Sequence, residues 1–210
     1  MHSLIRIALA LMPFSLCAQQ QAIDSLDYIT DAVFTKGVEG PVVDNNGVLY
    51  AVNYAEQGTI GKVTAAGQAE LLVKLPGESV GNGLRFNSKG QLLVADYVNH
   101  NVLAIDMHSL QVSVFAHEPA MHQPNDIAIS ATDVVYASDP NWADSSGQLW
   151  VISPQGQVKL VEKGMGTTNG VEVSTDEQYL YVNESVQRKV WRYKLDAEGM
   201  PKDKTLFHQF

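Results

Sequence analysis

Four positions with oxygen-bearing side chains recur almost evenly along the chain. They are Glu39, Asn82, Asn125 and Asn169, at steps of 43, 43 and 44 residues. Each stands at a corner: Glu39-Gly40-Pro41, Asn82-Gly83-Leu84, Asn125-Asp126-Ile127 and Asn169-Gly170-Val171. One carboxylate and three amide oxygens suit a hard divalent cation, which takes oxygen ligands. A simpler reading is that Asn and Gly only turn the chain. Turn chemistry explains the Asn-Gly pairs but not a Glu before Gly-Pro, so from spacing alone both readings stand.

A second column is Asn53, Asp96, Asp139 and Glu184, one at the end of an apolar run in each copy. These groups either reach the mouth of a channel or cap the turns that follow. Asp139 opens the loop Asp139-Pro140-Asn141-Trp142, and Trp142 either stacks on a sugar ring or packs beneath the loop. Trp150 and Trp191 occupy matching strand positions and are expected in the core. The six histidines show no metal-ligand spacing, and only His100, close after Asp96, is a candidate for a channel rim. Gly77-Glu78-Ser79-Val80-Gly81 has the form of a hydrolase nucleophile elbow, which needs a strand before it and a helix after it. Here Pro76 precedes it and 82–86 continue as a strand, which speaks against a serine esterase. Asn183-Glu184-Ser185 is a glycosylation sequon by pattern only.

The elements that must position these residues repeat with them. After each corner comes an apolar run, a polar turn and a second apolar run: VVDNNGVLYAVN, LRFNSKGQLLVAD, IAISATDVVYASD and VEVSTDEQYLYVNE. Third and fourth strand signals follow in every copy, joined at Ala66-Gly67, His108-Ser109, Gln155-Gly156 and Glu198-Gly199. A further strand is expected over 32–36. No segment beyond the first residues has helical periodicity. A strand-and-turn period of this length is the mark of a β-propeller blade, so the expected class is all-β, with about four blades over 39–80, 81–122, 123–166 and 167–210. In a propeller, equivalent positions of successive blades converge on the central axis. The repeat stops at Phe210, and the next corner is due about three residues later. An unclosed propeller would expose two sheet edges.

The chain has 210 residues, 45% of them apolar and 18% charged, with a formal net charge of −9. That balance, without a Lys/Arg cluster, argues against a nucleic-acid partner. Arg6, an apolar run over 7–16 and Cys17-Ala18 resemble a cleaved secretory signal over 1–18, too short to span a bilayer. The expectation is a periplasmic or secreted protein whose propeller domain occupies 19–210. Cys17 is the single cysteine, so the mature domain has no disulfide.

Glu39-Gly40-Pro41, Pro124-Asn125-Asp126 with Ser138-Asp139-Pro140, and Asn169-Gly170 with Leu180-Tyr181-Val182 together resemble the gluconolactonase/regucalcin (senescence-marker-protein-like) family. The resemblance runs over about residues 34–210. It implies a six-bladed propeller with one divalent metal ion (Ca, Zn, Mg or Mn) in its channel and the hydrolysis of small-molecule sugar lactones. Residue by residue, it implies that Glu39, Asn125 and Asn169 hold the metal. It places Asn125, Gln123, Asp139 and Trp142 at the substrate, with Gln123 standing where some members have an arginine. The family's proton-accepting aspartate, in a Pro-Asp-Gly corner, would fall just after Phe210, so the expectation is a truncated chain with impaired activity. A propeller that binds a ligand or a partner protein at its channel mouth without turnover is the competing expectation.

Overall fold

The computed structural model describes residues 27–210. The signal segment expected over 1–18 lies outside them. The described chain forms four four-stranded antiparallel sheets, each a meander in chain order. The first holds β1 (Val42–Val43), β2 (Leu49–Val52), β3 (Thr59–Val63) and β4 (Ala69–Lys74). The second holds β5 (Gly81–Phe86), β6 (Leu92–Asp96), β7 (Asn101–Ile105) and β8 (Val112–His117). The third holds β9 (Ile127–Ile129), β10 (Val135–Asn141), β11 (Ser146–Ile152) and β12 (Val158–Met165). The fourth holds β13 (Thr168–Val173), β14 (Tyr179–Glu184), β15 (Lys189–Leu195) and β16 (Pro201–Gln209). The strand expected over 32–36 is reduced to one bridge, Phe34 with Tyr54, because Ala32 takes a left-handed conformation and ends the extended run.

The first hairpin of each sheet closes by the same local chemistry. Asp44 Oδ1 accepts the N–H groups of Asn46 and Val48, and Asn87 Oδ1 those of Lys89 and Gln91. Ser130 and Ser174 hydroxyls do the same for Val134 and Tyr179. These short polar side chains satisfy turn amides that the ladder cannot reach, and so set the register of the strands on either side.

The core is divided into layers between sheets. Because side chains alternate across a strand, β6 sends Leu92 and Val94 toward the first sheet and Leu93 and Ala95 toward the third. Strand β10 likewise gives Val135 and Ala137 to the layer between the second and third sheets and Tyr136 to the layer between the third and fourth. Strands with neighbours on both faces therefore read as unbroken apolar runs. Trp150 is buried in the second–third layer and Trp191 packs against the third–fourth layer, as expected of core residues. Among the described residues no apolar cluster joins the fourth sheet to the first. The outer face of the first sheet is covered by its own chain: Phe34 and Tyr54 meet edge to face and press on Gly61, where a Cβ would come within 2.7 Å of Tyr54.

Candidate functional site

The four corners converge. Glu39, Gly40 and Pro41 from the first sheet, Asn82 and Arg85 from the second, Asn125 and Asp126 from the third, and Asn169 and Gly170 from the fourth line one cavity of about 320 Å³. Their approach depends on a glycine at the first and second corners. Gly40 has φ +56°, and a Cβ there would lie 2.0 Å from the backbone oxygen of Asn82. A Cβ on Gly83 would lie 2.8 Å from the side chain of Asp126 and the backbone of Ile127. Neighbouring corners are also bonded: Gly83 N–H donates to Asn125 O at 2.8 Å, and Val171 N–H to Asp126 Oδ2 at 3.1 Å. At Gly40 and Gly83 only a residue without a side chain lets the corners approach this closely.

The donors in this cavity fit a hard cation. Among the described residues no three His, Cys, Asp or Glu side chains gather. The set is instead the carboxylate of Glu39 with the amides of Asn82, Asn125 and Asn169, all oxygen donors. Asn169 is oriented by a relay: its Nδ2 donates to Ser185 Oγ at 3.1 Å, and that hydroxyl donates to Asn183 Oδ1 at 3.1 Å. With the nitrogen committed, Oδ1 of Asn169 is the atom left for a ligand. Glu39 is exposed, and no described side chain pairs with it.

A second cavity, of about 290 Å³, shares Asn82 and Asn125 with the first. It adds Asn53, Gln57, Gln123, Tyr97 and Trp142. Trp142 is 46% exposed, so its ring is presented to solvent and not packed beneath its loop. The amides of Gln57, Asn82, Gln123 and Asn125 and two aromatic rings around one space suit a neutral polyhydroxylated ligand, with hydrogen bonds to hydroxyls and ring faces for stacking.

The second column is buried. Asn53 Oδ1 accepts Gly58 N–H, and its Nδ2 donates to Gly37 O at 2.6 Å. Asp96 Oδ1 accepts Val80 N–H, and Glu184 Oε1 accepts Gly166 N–H. Asp139 is wholly buried; its Oδ1 accepts the N–H groups of His122 and Gln123 at 2.7 and 2.6 Å, and its Oδ2 accepts Trp150 Nε1–H at 2.9 Å. Each member latches the loop that enters its own sheet. Asp139, expected at the substrate, lines neither cavity and reaches the second one only through Gln123, whose backbone it holds. Burial pushes the Asp139 carboxyl above the usual range, opposed by the bonds from Trp150 and Gln123 and by the nearby His122. The G-x-S-x-G segment is no elbow: Ser79 is buried, accepts Asn99 Nδ2–H at 2.9 Å, and leads into β5. His100 lies in the turn between β6 and β7 with φ +57°.

Residues 38–210 match the model of the SMP-30/Gluconolactonase/LRE-like region. The chain belongs to that family. It is 28% identical over 199 residues to a gluconolactonase of Zymomonas mobilis, covering 82% of this chain and 56% of the relative. Among solved structures it resembles a gluconolactonase of Xanthomonas campestris (TM-score 0.69, 16% identity, 81% of this chain and 62% of that one). It also resembles a calcium-binding regucalcin of Agrobacterium tumefaciens (TM-score 0.69, 18% identity, 81% and 58%). These likenesses show the β-propeller fold. The chain spans little more than half the length of the relatives it matches.

In this member of the SMP-30/gluconolactonase family, the structure therefore brings Glu39, Asn125 and Asn169 to one cavity and Gln123, Asn125 and Trp142 to the adjoining one. Corner spacing alone does not reveal Asp126, Arg85 or Glu172. Asp126 Oδ1 lies 3.8 Å from Arg85 Nη1, and Arg85 Nη2 donates to Glu172 Oε2 at 3.1 Å. Burial raises the Asp126 carboxyl, opposed by the Arg85 guanidinium and the Val171 and Ile127 amides. Corner spacing makes Glu39 the only charge of the site; the fold adds Asp126 and Arg85 to the same cavity, with Glu172 paired to Arg85 from outside it. A usable signal was present, since Arg85 and Glu172 each follow a corner asparagine by three residues inside an apolar strand.

Proposed function

We propose that the protein is a metal-dependent hydrolase of sugar lactones, with this chain supplying four of the six blades of its propeller. The observation that carries the reading is the convergence of Glu39, Asn125 and Asn169 on one cavity that adjoins an amide- and aromatic-lined space. Glu39 and the oxygens of Asn125 and Asn169 would hold one divalent cation. A bound cation of this kind polarises a lactone carbonyl and stabilises the negative charge that develops on its oxygen. Asn82 and Asn125 line both cavities, so their amides can bind the ligand's hydroxyls at the boundary. Trp142 offers a ring face at the mouth, and Gln123, held by Asp139, presents a neutral amide where some relatives carry a cation. Arg6 and the apolar run over 7–16, read as a leader over 1–18, would direct export, to the periplasm or beyond the cell.

Asp126 is poorly placed as a base. Its oxygens accept the N–H groups of Ile127 and Val171 and face Arg85. The family's proton acceptor belongs to a Pro-Asp-Gly corner that this sequence lacks, so residues 1–210 alone should turn over slowly. The test is hydrolysis of an aldonolactone with added Ca²⁺, Zn²⁺ or Mn²⁺ and a chelator control, for this chain and for a form extended by such a corner. Chelator-sensitive turnover confined to the extended form is expected. Chelator-insensitive turnover in both would overturn metal dependence. The commitment of Asp126 to other partners also favours a second reading, binding without turnover; saturable lactone binding by an extended form that never hydrolyses it would establish that reading.

A further inference from the structure

Arg85 stands out among the groups the proposed chemistry does not use. Its guanidinium is reached by three sheets. It leaves β5 in the second sheet, donates through Nη1 to its own neighbour's carbonyl at Leu84, and lies 3.8 Å from Asp126 of the third sheet. Its Nη2 donates to Glu172 on β13 of the fourth sheet at 3.1 Å. The Arg85 and Asp126 side chains are only 21% and 22% exposed. Asp126 in turn accepts Val171 N–H, so its carboxylate bonds the third sheet to the fourth independently of Arg85. Arg85 and Asp126 lie in the wall of the cavity that holds the corner oxygens, and Glu172 meets Arg85 from outside it.

The charges decide what this arrangement does. Without Arg85, Glu39 and Asp126 would line the cavity and Glu172 would stand outside it, three carboxylates with no cation paired to them. Asp126 is the enclosed one of the three, and a carboxylate left there without its cation is costly. We propose that the Arg85 guanidinium is a built-in cation, tying Asp126 and Glu172 together so that the second, third and fourth sheets hold Asn82, Asn125 and Asn169 toward one cavity. Arg85 is a positioning residue in this scheme and touches no reacting atom. A planar fork can serve two carboxylates from different sheets at once, which a lysine ammonium does less well. The inference goes beyond the lactonase reading and holds whether or not the corner oxygens carry a metal.

The test exploits the fact that a divalent cation can replace a fixed one. Arg85→Met removes the charge and keeps much of the stem; the 210-residue chain is then titrated with CaCl₂ by calorimetry and melted in chelator and in millimolar CaCl₂. The expected result is a melting temperature below that of the parent in chelator, largely restored by Ca²⁺, and Ca²⁺ affinity at least about tenfold above the parent's, since ligand charge sets affinity at such sites. Adding Asp126→Asn to Arg85→Met should abolish the gain. Adding Glu39→Gln should leave it in place, which separates this inference from the role given to Glu39. Arg85→Lys should melt between the parent and Arg85→Met in chelator. If Arg85→Met does not fold in chelator, refolding it in CaCl₂ decides the matter: recovery of the parent's circular dichroism supports the inference, and failure overturns it. A destabilised variant with no added response to Ca²⁺, or a variant as stable as the parent, would also overturn it.

Discussion

Replacing Asp139 by Asn should cost about 3 kcal/mol of stability, although the side chain hardly changes in shape. The carboxylate is wholly buried and accepts two backbone N–H groups on one oxygen and Trp150 Nε1–H on the other. An amide has only one acceptor oxygen. If that oxygen keeps His122 and Gln123, the new NH₂ faces Trp150 Nε1 at the position now 2.9 Å away, donor against donor. The opposite flip leaves both backbone amides facing the NH₂. Gln148 Nε2, 3.3 Å from Oδ2, can turn wholly to Ala120 O, but the Trp150 indole is buried and has no such alternative. One stranded buried donor costs about 1–3 kcal/mol, and two charge-assisted bonds reduced to neutral ones add roughly 1 kcal/mol each. Relief of a buried charge, seen in the raised Asp139 carboxyl, offsets part of this. The assay is urea denaturation followed by circular dichroism, for Asp139→Asn, Trp150→Phe and the double variant. Phe cannot donate, so the double variant should be less destabilised than the two single losses added, with a coupling of about 1–2 kcal/mol. A single-variant loss under about 0.5 kcal/mol, or strict additivity, would refute the assignment of Asp139 as a loop latch through these bonds.

Other expectations follow from the same structure. Tyr136 is wholly buried, its hydroxyl donates to Gly199 O at 2.7 Å, and burial with nearby Glu177 and Asp196 pushes its pKa up to about 12. The folded state holds that proton longer than the unfolded chain does, so stability should fall as pH rises from about 10 to 12, by at most about 3 kcal/mol; in Tyr136→Phe the alkaline slope measured by denaturation should be shallower. Gly40→Ala should cost more than about 2 kcal/mol, because the position has φ +56° and the methyl would meet Asn82 O; a melting temperature equal to the parent's would refute the corner packing. Leu110 has φ +57° at the outer hairpin turn where the other three sheets place Gly67, Gly156 and Gly199, so Leu110→Gly should stabilise by about 0.5–1 kcal/mol in urea denaturation.

Much of the architecture was legible in the residues. The strands were found with small shifts at their ends, because each run alternates or persists according to the faces it must bury. LLVAD reads as unbroken apolar because β6 has sheets on both sides, whereas YLYVNE alternates because β14 has a core layer on one side. The Asx and Ser turns were visible for the same reason: their bonds reach only two to five residues along the chain. The corner column was legible as a period, since equal steps in sequence become equal rotations about one axis. The short strand expected over 32–36 failed because nothing in its own residues announces the left-handed turn at Ala32.

The sequence by itself determined the repeating sheets, the positions of the four corners and the oxygen chemistry they carry. All of these depend on interactions between residues close in the chain. The tertiary structure decided which side chains remain available for a ligand. Asp139 on β10 and Trp142 just past its end stand three residues apart, yet the first is sealed against Trp150 and the second faces solvent. Asp126 follows a corner residue directly, yet its carboxylate is engaged by Val171, 45 residues away, and faced by Arg85, more than 40 residues away. Exposure, hydrogen bonding and charge at such groups depend on what the neighbouring sheets bring against them, and sheets separated by a whole repeat meet only once the chain has folded about its axis.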